Sequence, residues 1–483
     1  MRKTGIVHIV MLHVILFFTA CTQGDEAPAT TLHEDTAVNF SPYIGKVPES
    51  RAGAPGEIDQ TRLQTLGFGV FAQHTGNSDW NSYTETDSYN TLPFNFMWNQ
   101  KVEWDVDATA WTYEPLKYWP NDNKPADKAG ATGSQDHSYL QFFAYAPYVS
   151  AAELPSTTEA KAAADGIVEM STNDAKTNAS YIYYRTDKEK PFDKEESVDL
   201  LWATNKDLFK MKDSKEGYLD GRVNMVFKHT QAKLLVNVKT LVDRTADYSS
   251  PAYPTDLDPN THIFIESVEI TTPDYYSEGK LKLAPVGDTP SWDYTGLDAK
   301  KNTGFVFGKD ATGMFRDDVK YSMRYEAPNV PVDASITDTN ADELDDATGL
   351  TLLETARAGF DAMEAGVLST EQQLSANYPV FMFPPSTTKS DVSITAVYHV
   401  VTFDPNLTLN SPKYYSDVTN DITASLGNAS FKFDPNKQYK ILLSLGVTSA
   451  KFEVSVLNEN GEWILLSAVV KDWDEKTAEV DVK

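Results

Sequence analysis

Apolar and polar residues alternate every second position through much of this chain, and that period of two sets the expected fold. Val38 and Phe40 alternate with Asn39 and Ser41 ahead of Pro42, a short strand. Leu66 to Ala72 reads LGFGVFA, a compact apolar run of strand length. Lys101 to Trp111 sets Val102, Trp104 and Val106 against Glu103, Asp105 and Asp107, which predicts one strand with a wet face. Further strands are expected over Ser138 to Tyr148, Val198 to Thr204, and Val223 to Val238 as one continuous run. Others fall near Ile263, from Asp391, from Tyr439, at Phe452, over Trp463 to Val470, and over a terminal AEVDV. Helical spacing is confined to Leu352 to Gln373 and an alanine-rich stretch from Ala151 to Asp165.

Strands separated by Pro, Gly, Asn and Asp clusters, without interleaved helices of a βαβ unit, predict an all-β protein built of β-sandwiches. The 483 residues suffice for two cores, so two domains are expected. Ala284 to Gly349 carries Pro285, Pro290, Pro328, Pro331 and the acidic run DTNADELDD, which puts the expected junction near residue 295. The domains are then 52–295 and 296–483. Aromatic residues, at 12% of the chain, fit the half-buried pleated surfaces this fold requires.

Charge narrows the partners. Lys and Arg number 42 against 70 Asp and Glu, for a net −28. Such a surface repels nucleic acid and anionic lipid and favours solubility, so no nucleic acid partner is expected.

The N-terminus reads as an export signal over residues 1–20. Arg2 and Lys3 precede an apolar stretch from Ile6 to Phe18, then the small residues Thr19 and Ala20. The stretch is too short for the roughly 20 residues of a membrane-spanning helix. Cys21 is the single cysteine. Its place at the signal boundary, in Phe18-Thr19-Ala20-Cys21, resembles a bacterial lipobox, in which the thiol is acylated after signal removal and anchors the protein to the outer membrane. The polar residues from Thr22 to Glu26 then form a tether.

Catalytic patterns are missing from the sequence. The eight histidines are scattered, with no HExxH and no Cys ligand set, so neither a metal nor a cofactor is expected. His229, in FKHTQAK, is expected to serve the fold. The run from Asp338 to Gly349 alternates carboxylates but has Glu343 where a calcium loop turns on Gly and Gly349 where it needs Glu. There is no Gly-rich phosphate loop and no GxSxG elbow, and an enzyme is not expected. The informative chemistry is a bond to be cut. A loop with Pro48, Arg51, Ala52 and Gly53 follows the first strand, and small polar loop tips are where proteases reach the backbone.

The lipobox, VNFSPYIG followed by Ser50-Arg51-Ala52, GFGVFA, WTYEPLKYWP, FFAYAPY, DLLWA and the F-x-H strand at Phe227 to His229 occur in one order. That order resembles the fimbrillin family of type V pilins over most of residues 1 to 290. The resemblance implies two tandem transthyretin-like β-sandwiches, export as a lipoprotein through Cys21, and cleavage between Arg51 and Ala52 by a trypsin-like protease. It implies that residues 21–51 leave with the first strand, here carrying Val38, Phe40, Tyr43 and Ile44. A strand from a neighbouring pilin subunit then fills the vacated edge head-to-tail, giving a fimbrium on the cell surface that supports adhesion to a host or bacterial ligand. Ala478, Val480 and Val482 alternate with charged residues and form a candidate donor strand, although the same pattern suits a strand completing its own sandwich. A surface-anchored glycan-binding lipoprotein would share the β fold, the lipid and the aromatic content, and would need no cut at Arg51.

Overall fold

The structure, a computed structural model, describes residues 37–44, 57–84, 93–120, 138–172, 180–186, 199–209, 222–241, 257, 260–285, 287–297, 300–309, 313–314, 323–325, 351–361, 366–375, 380–385, 392–404, 406, 415–426 and 432–472. In chain order its first elements are β1 (Asn39–Ile44), α1 (Gln60–Leu66), β2 (Phe68–Gly76), β3 (Met97–Asp105), β4 (Ala110–Thr112), β5 (Tyr139–Ala146), α2 (Thr158–Ala163), β6 (Gly166–Thr172), β7 (Ser180–Arg185), β8 (Leu201–Leu208) and β9 (Arg222–His229). They continue with β10 (Ala232–Thr240), β11 (Thr261–Tyr275), β12 (Glu278–Lys282), β13 (Trp292–Asp293), β14 (Lys300–Gly308), α3 (Leu352–Asp361), β15 (Gln372–Gln373) and β16 (Val380–Met382). The last are β17 (Ser393–Phe403), β18 (Tyr415–Ser425), β19 (Gln438–Leu445), β20 (Ser449–Leu457) and β21 (Trp463–Asp472). The expectation of an all-β protein holds.

A seven-stranded sheet runs β1-β9-β8-β5-β2-β3-β4. Its central strands are buried on both faces, which is why GFGVFA and QFFAYA read as unbroken apolar runs. Phe68, Val70, Phe142 and Ala144 enter the core that β1 closes. Phe71, Phe143, Tyr145 and Trp202 face the other way and pack on Ile182, Tyr184 and Leu281 of a four-stranded sheet ordered β13-β12-β7-β6. Trp202 Nε1 donates to the Leu283 carbonyl at 3.0 Å, satisfying the buried indole where these layers meet. A second core lies between the six-stranded sheet, β15-β10-β19-β20-β21 with β16 also on β10, and a four-stranded sheet, β14-β11-β17-β18.

Several boundaries differ from the sequence pattern. The run from Val223 to Val238 is two strands: β9 ends at His229, β10 begins at Ala232, and they belong to different sheets. Strands on both sides of residue 295 also mix, since β11 pairs with β14 and β17 while β12 returns to pair with β7 and carries β13 on its other side. The chain first changes from one pair of sheets to the other at Thr230–Gln231. Lys101 to Trp111 is likewise not one strand. Asp105 Oδ1 accepts from the backbone N–H groups of Asp107 and Ala108 at 2.9 Å, an Asx turn that folds β4 back onto β3. Val106 therefore sits on the turn, 74% exposed, and not on the face of Val102. Helix is limited to short pieces: α2 within the alanine-rich stretch, α3 covering Leu352–Asp361 of the longer expected run, and α1, which the pattern missed. The acidic run from Asp338 to Asp346 lies outside the described residues.

α1 is set by its ends. Asp59 accepts from Arg62 N–H at 2.7 Å, and Leu63 is the residue it buries. Gly67 stops it with φ 64° and ψ −177°, a conformation essentially only glycine adopts, while its N–H donates to the Leu63 carbonyl. A Cβ there would also sit 2.8 Å from the Val102 carbonyl oxygen. Gly67→Ala is expected to cost about 1–3 kcal/mol, read as a lower denaturant midpoint with an unchanged m value. An unchanged midpoint would contradict the strain assigned to this cap.

Candidate functional site

The first strand is the last side chain layer of the core beneath it. β1 runs parallel to β9 in register from Asn39 opposite Arg222 to Ile44 opposite Phe227. On its other side Val38 N–H donates to the Lys117 carbonyl at 2.8 Å, and Ala37 bridges Tyr118, so β1 spans the space between β9 and the segment after β4. Alternation sends Val38 and Phe40 inward, 0% and 6% exposed, with Pro42 also buried. Proline suits this outermost position because an edge strand does not need every N–H in a ladder. Asn39 and Tyr43 face outward, and Tyr43 is 50% exposed.

Phe40 is the centre of the contact. Its ring meets Phe68, Tyr113 and Phe142 edge-on, with centroids 6.0, 5.5 and 5.8 Å away. Tyr113 adds a polar tie, its hydroxyl donating to the Val38 carbonyl at 2.8 Å. Burial pushes that phenol above its ordinary value, so it stays a neutral donor. At the far end Ile44 N–H donates to Gln60 Oε1 of α1 at 3.2 Å, and Ile44 packs on the same core. Neither Tyr113 nor Gln60 stood out in the sequence. Tyr113 alternates with Trp111 in WTYEP and was readable as inward-facing, whereas a glutamine reaching across a connection leaves no pattern.

β9 depends unusually on β1. Its ladder with β8 consists of two register pairs, Leu201 with His229 and Trp202 with Lys228. Over Arg222 to Phe227 its ladder partner is β1. Removing β1 would expose that row of backbone groups together with the apolar surface over Phe68, Phe142 and Phe227.

Of the other expected site residues, Cys21, Arg51 and Ala52 lie outside the described residues, as do Ala478, Val480 and Val482. Arg51 falls in residues 45–56, between β1 and the described residues that resume at Glu57. The strand preceding the expected donor segment is described. β21 forms the edge of the six-stranded sheet, paired only to β20, and leaves Ile464, Leu465 and Val470 at 45%, 54% and 56% exposure. Among the described residues no group of His, Cys, Asp and Glu could hold a metal, and no helix is long and apolar enough to cross a membrane.

Phe40→Ala is expected to destabilise the protein by about 3–5 kcal/mol, the range for emptying a buried aromatic site, measured by chemical denaturation. Tyr43→Ala, at an exposed position of the same strand, should move stability by no more than about 0.5 kcal/mol. Equal losses would contradict the inward and outward assignment.

No family model matches the chain. The fimbrium subunit Fim1C of Phocaeicola vulgatus is 30% identical over 146 residues, covering 30% of this chain and 32% of that relative. The match spans about a third of the relative's length. A crystal structure from Bacteroides uniformis, provisionally described as a cell adhesion protein, aligns over 92% of this chain and 100% of its own at 13% identity and a TM-score of 0.35. The fimbrial anchor protein Mfa2 of Porphyromonas gingivalis aligns over 90% of this chain and 97% of its own at 8% identity and a TM-score of 0.26. Superpositions this loose carry no functional argument. The sequence match does agree with the ordered motifs: over 146 residues the chain is similar to a fimbrium subunit.

Proposed function

We propose that the chain is a shaft or tip subunit of a type V cell-surface fimbria, exported as a lipoprotein and assembled by exchanging β1 for a strand of a neighbouring subunit. One observation supports this most. β1 supplies buried side chains and six of the eight ladder pairs of β9, yet it is joined to the described residues that follow it through residues 45–56, where Arg51 lies. A single cut there turns an internal strand into a separate peptide held by non-covalent contacts alone.

In this reading Cys21 carries the lipid that holds the precursor at the outer membrane, and a trypsin-like protease cuts between Arg51 and Ala52. The released piece takes the lipid and β1 away together. The open edge along β9 then accepts a strand head-to-tail, a contact that does not close on itself and so propagates into a filament. β21 and the Ala478, Val480 and Val482 segment behind it supply that strand in a shaft subunit, and exposed Ile464, Leu465 and Val470 are consistent with an apolar strand not fully used by its own sheet. The sheet pairs form two tandem sandwiches of transthyretin-like type, one presenting the groove and the other the donor. Adhesion follows from display of the assembled subunits on the cell surface.

Arg51→Ala in the native host tests the processing step. The variant is expected to keep Cys21 as its N-terminus by mass spectrometry and to be missing from fimbriae seen by electron microscopy. Wild-type protein taken from the surface with its N-terminus at Cys21, and no fraction beginning at Ala52, would overturn the proposal.

A further inference from the structure

The strand that must stay behind when β1 leaves is β9, and it is fastened at one end. His229, the last residue of β9, sits beside Asp199, which stands just before β8. His229 Nδ1 lies 2.6 Å from Asp199 Oδ2, with the two side chains 11% and 0% exposed. The same carboxylate oxygen accepts from Ile58 N–H at 3.2 Å, so it also holds the chain leading into α1. Asp199 Oδ1 is buried with no hydrogen-bond partner among the described residues, which leaves His229 as its one charged side-chain partner there. His229 N–H donates to Asn436 Oδ1 at 3.1 Å, and Asn436 N–H donates back to the Gln231 carbonyl, tying the end of β9 to the loop before β19.

The surroundings make this a built ionic cluster. Lys233 of β10 meets Glu57 at 2.7 Å, with side chains 12% and 8% exposed. Glu57, His229, Lys233, Asn436 and Lys437 line one small cavity where the two pairs of sheets meet. The groups acting on His229 are therefore Asp199 and Glu57, which favour its charge, and Lys233, which opposes it. Burial alone would lower its pKa, but the adjacent Asp199 outweighs burial and the net shift is upward from 6.5.

We infer that Asp199 and His229 are positioning residues for strand exchange, a clamp that keeps β9 in the sheet as the receiving edge during the interval when β1 has gone. This rests on the displacement reading above. With β1 in place, six further register positions hold β9, and the clamp is one restraint among many. Without β1, the ladder of β9 is just the two pairs to β8 beside His229, with Asn205 Nδ2 donating to the Asn224 carbonyl at 2.8 Å farther along, and the clamp with its Ile58 and Asn436 ties secures that short anchor. Breaking a buried ion pair from one side leaves an uncompensated charge, so the effect concentrates where other restraints are fewest. The sign with pH follows from the upward shift of His229. The pair contributes fully below the ordinary histidine range and is lost as pH rises through the raised folded-state value.

The test uses the full chain cut within residues 45–56 and a fluorescent synthetic peptide of residues 36–46. Wild type is compared with Asp199→Asn, which keeps the shape and the Ile58 acceptor, and with His229→Gln. Peptide uptake is expected to fall about tenfold or more in both variants at pH 6. In wild type it should decline as pH rises, and in His229→Gln that pH dependence should flatten. Uptake equal to wild type in both variants, or an unchanged pH profile in His229→Gln, would overturn the clamp. If cut wild-type protein takes up no peptide and keeps its own β1, the displacement reading fails instead. Amide exchange on the uncut chains then decides the clamp separately. Faster exchange at residues 201–202 and 228–229 in Asp199→Asn, with β2 and β5 unchanged, supports it, and equal exchange across all strands overturns it.

Discussion

The parallel ladder between β1 and β9 is the constraint on which the first core depends. β9 carries Val223, Met225 and Phe227 into that core, yet its backbone is matched chiefly by a strand at the outermost position of the sheet. The pairing thus makes a strand at the end of the sheet indispensable. Without it, an apolar channel beneath Phe68 and Phe142 and a row of unpaired amides on β9 would be exposed together. Burying an apolar side chain such as Val38 or Phe40 is worth about 1.5–3 kcal/mol. An unoccupied groove is therefore a high-energy state that favours refilling by any strand of matching alternation.

Covalent connection decides which strand that is. While residues 45–56 join β1 to α1, β1 competes as part of the same chain, an intramolecular advantage that a strand from another copy does not have. A cut in that connection removes the advantage without altering a single contact in the groove. In the proposed exchange the same packing would serve two purposes in sequence: it would protect the precursor from premature pairing and then select a strand of similar pattern. The residues just past the connection are tied down separately, with Ile58 buried and Glu57 paired to Lys233. Release on one side of the cut and retention on the other are thus both built into the packing.

Much of this was legible in the sequence because alternation reports burial directly. Val38 and Phe40 pointed inward as their spacing demanded, and the unbroken apolar runs proved to be strands buried on both faces. What misled was the unbroken run of apolar residues. The buried apolar positions are odd-numbered in β9, at Val223, Met225 and Phe227, and even-numbered in β10, at Ala232, Leu234, Val236 and Val238, so the phase slips by one residue at Thr230–Gln231, where no Gly or Pro marks the passage from one sheet to another. The turn at Asp105 also lacks Gly and Pro, being made by a side-chain carboxylate accepting two backbone N–H groups. α1 is only two turns long, too short for a helical period to register, and its cap residues Asp59 and Gly67 were the readable signal. The two-pair ladder between β8 and β9 has no sequence signature, since register is a property of the folded sheet.

The central claim is that the groove along β9 is emptied of β1 and refilled by another copy. Site-directed crosslinking measures this most directly, because Cys21 is the single native cysteine and would leave with the segment that the proposed cut releases. One cysteine is placed at Asn224, exposed on β9, and a second is scanned through residues 463–482. In assembled material the account predicts disulfide-linked ladders between copies from alternate positions of the scan, with β1 absent from every rung. Crosslinks confined within single chains, or filaments that retain residues 37–44 in the groove, would contradict it.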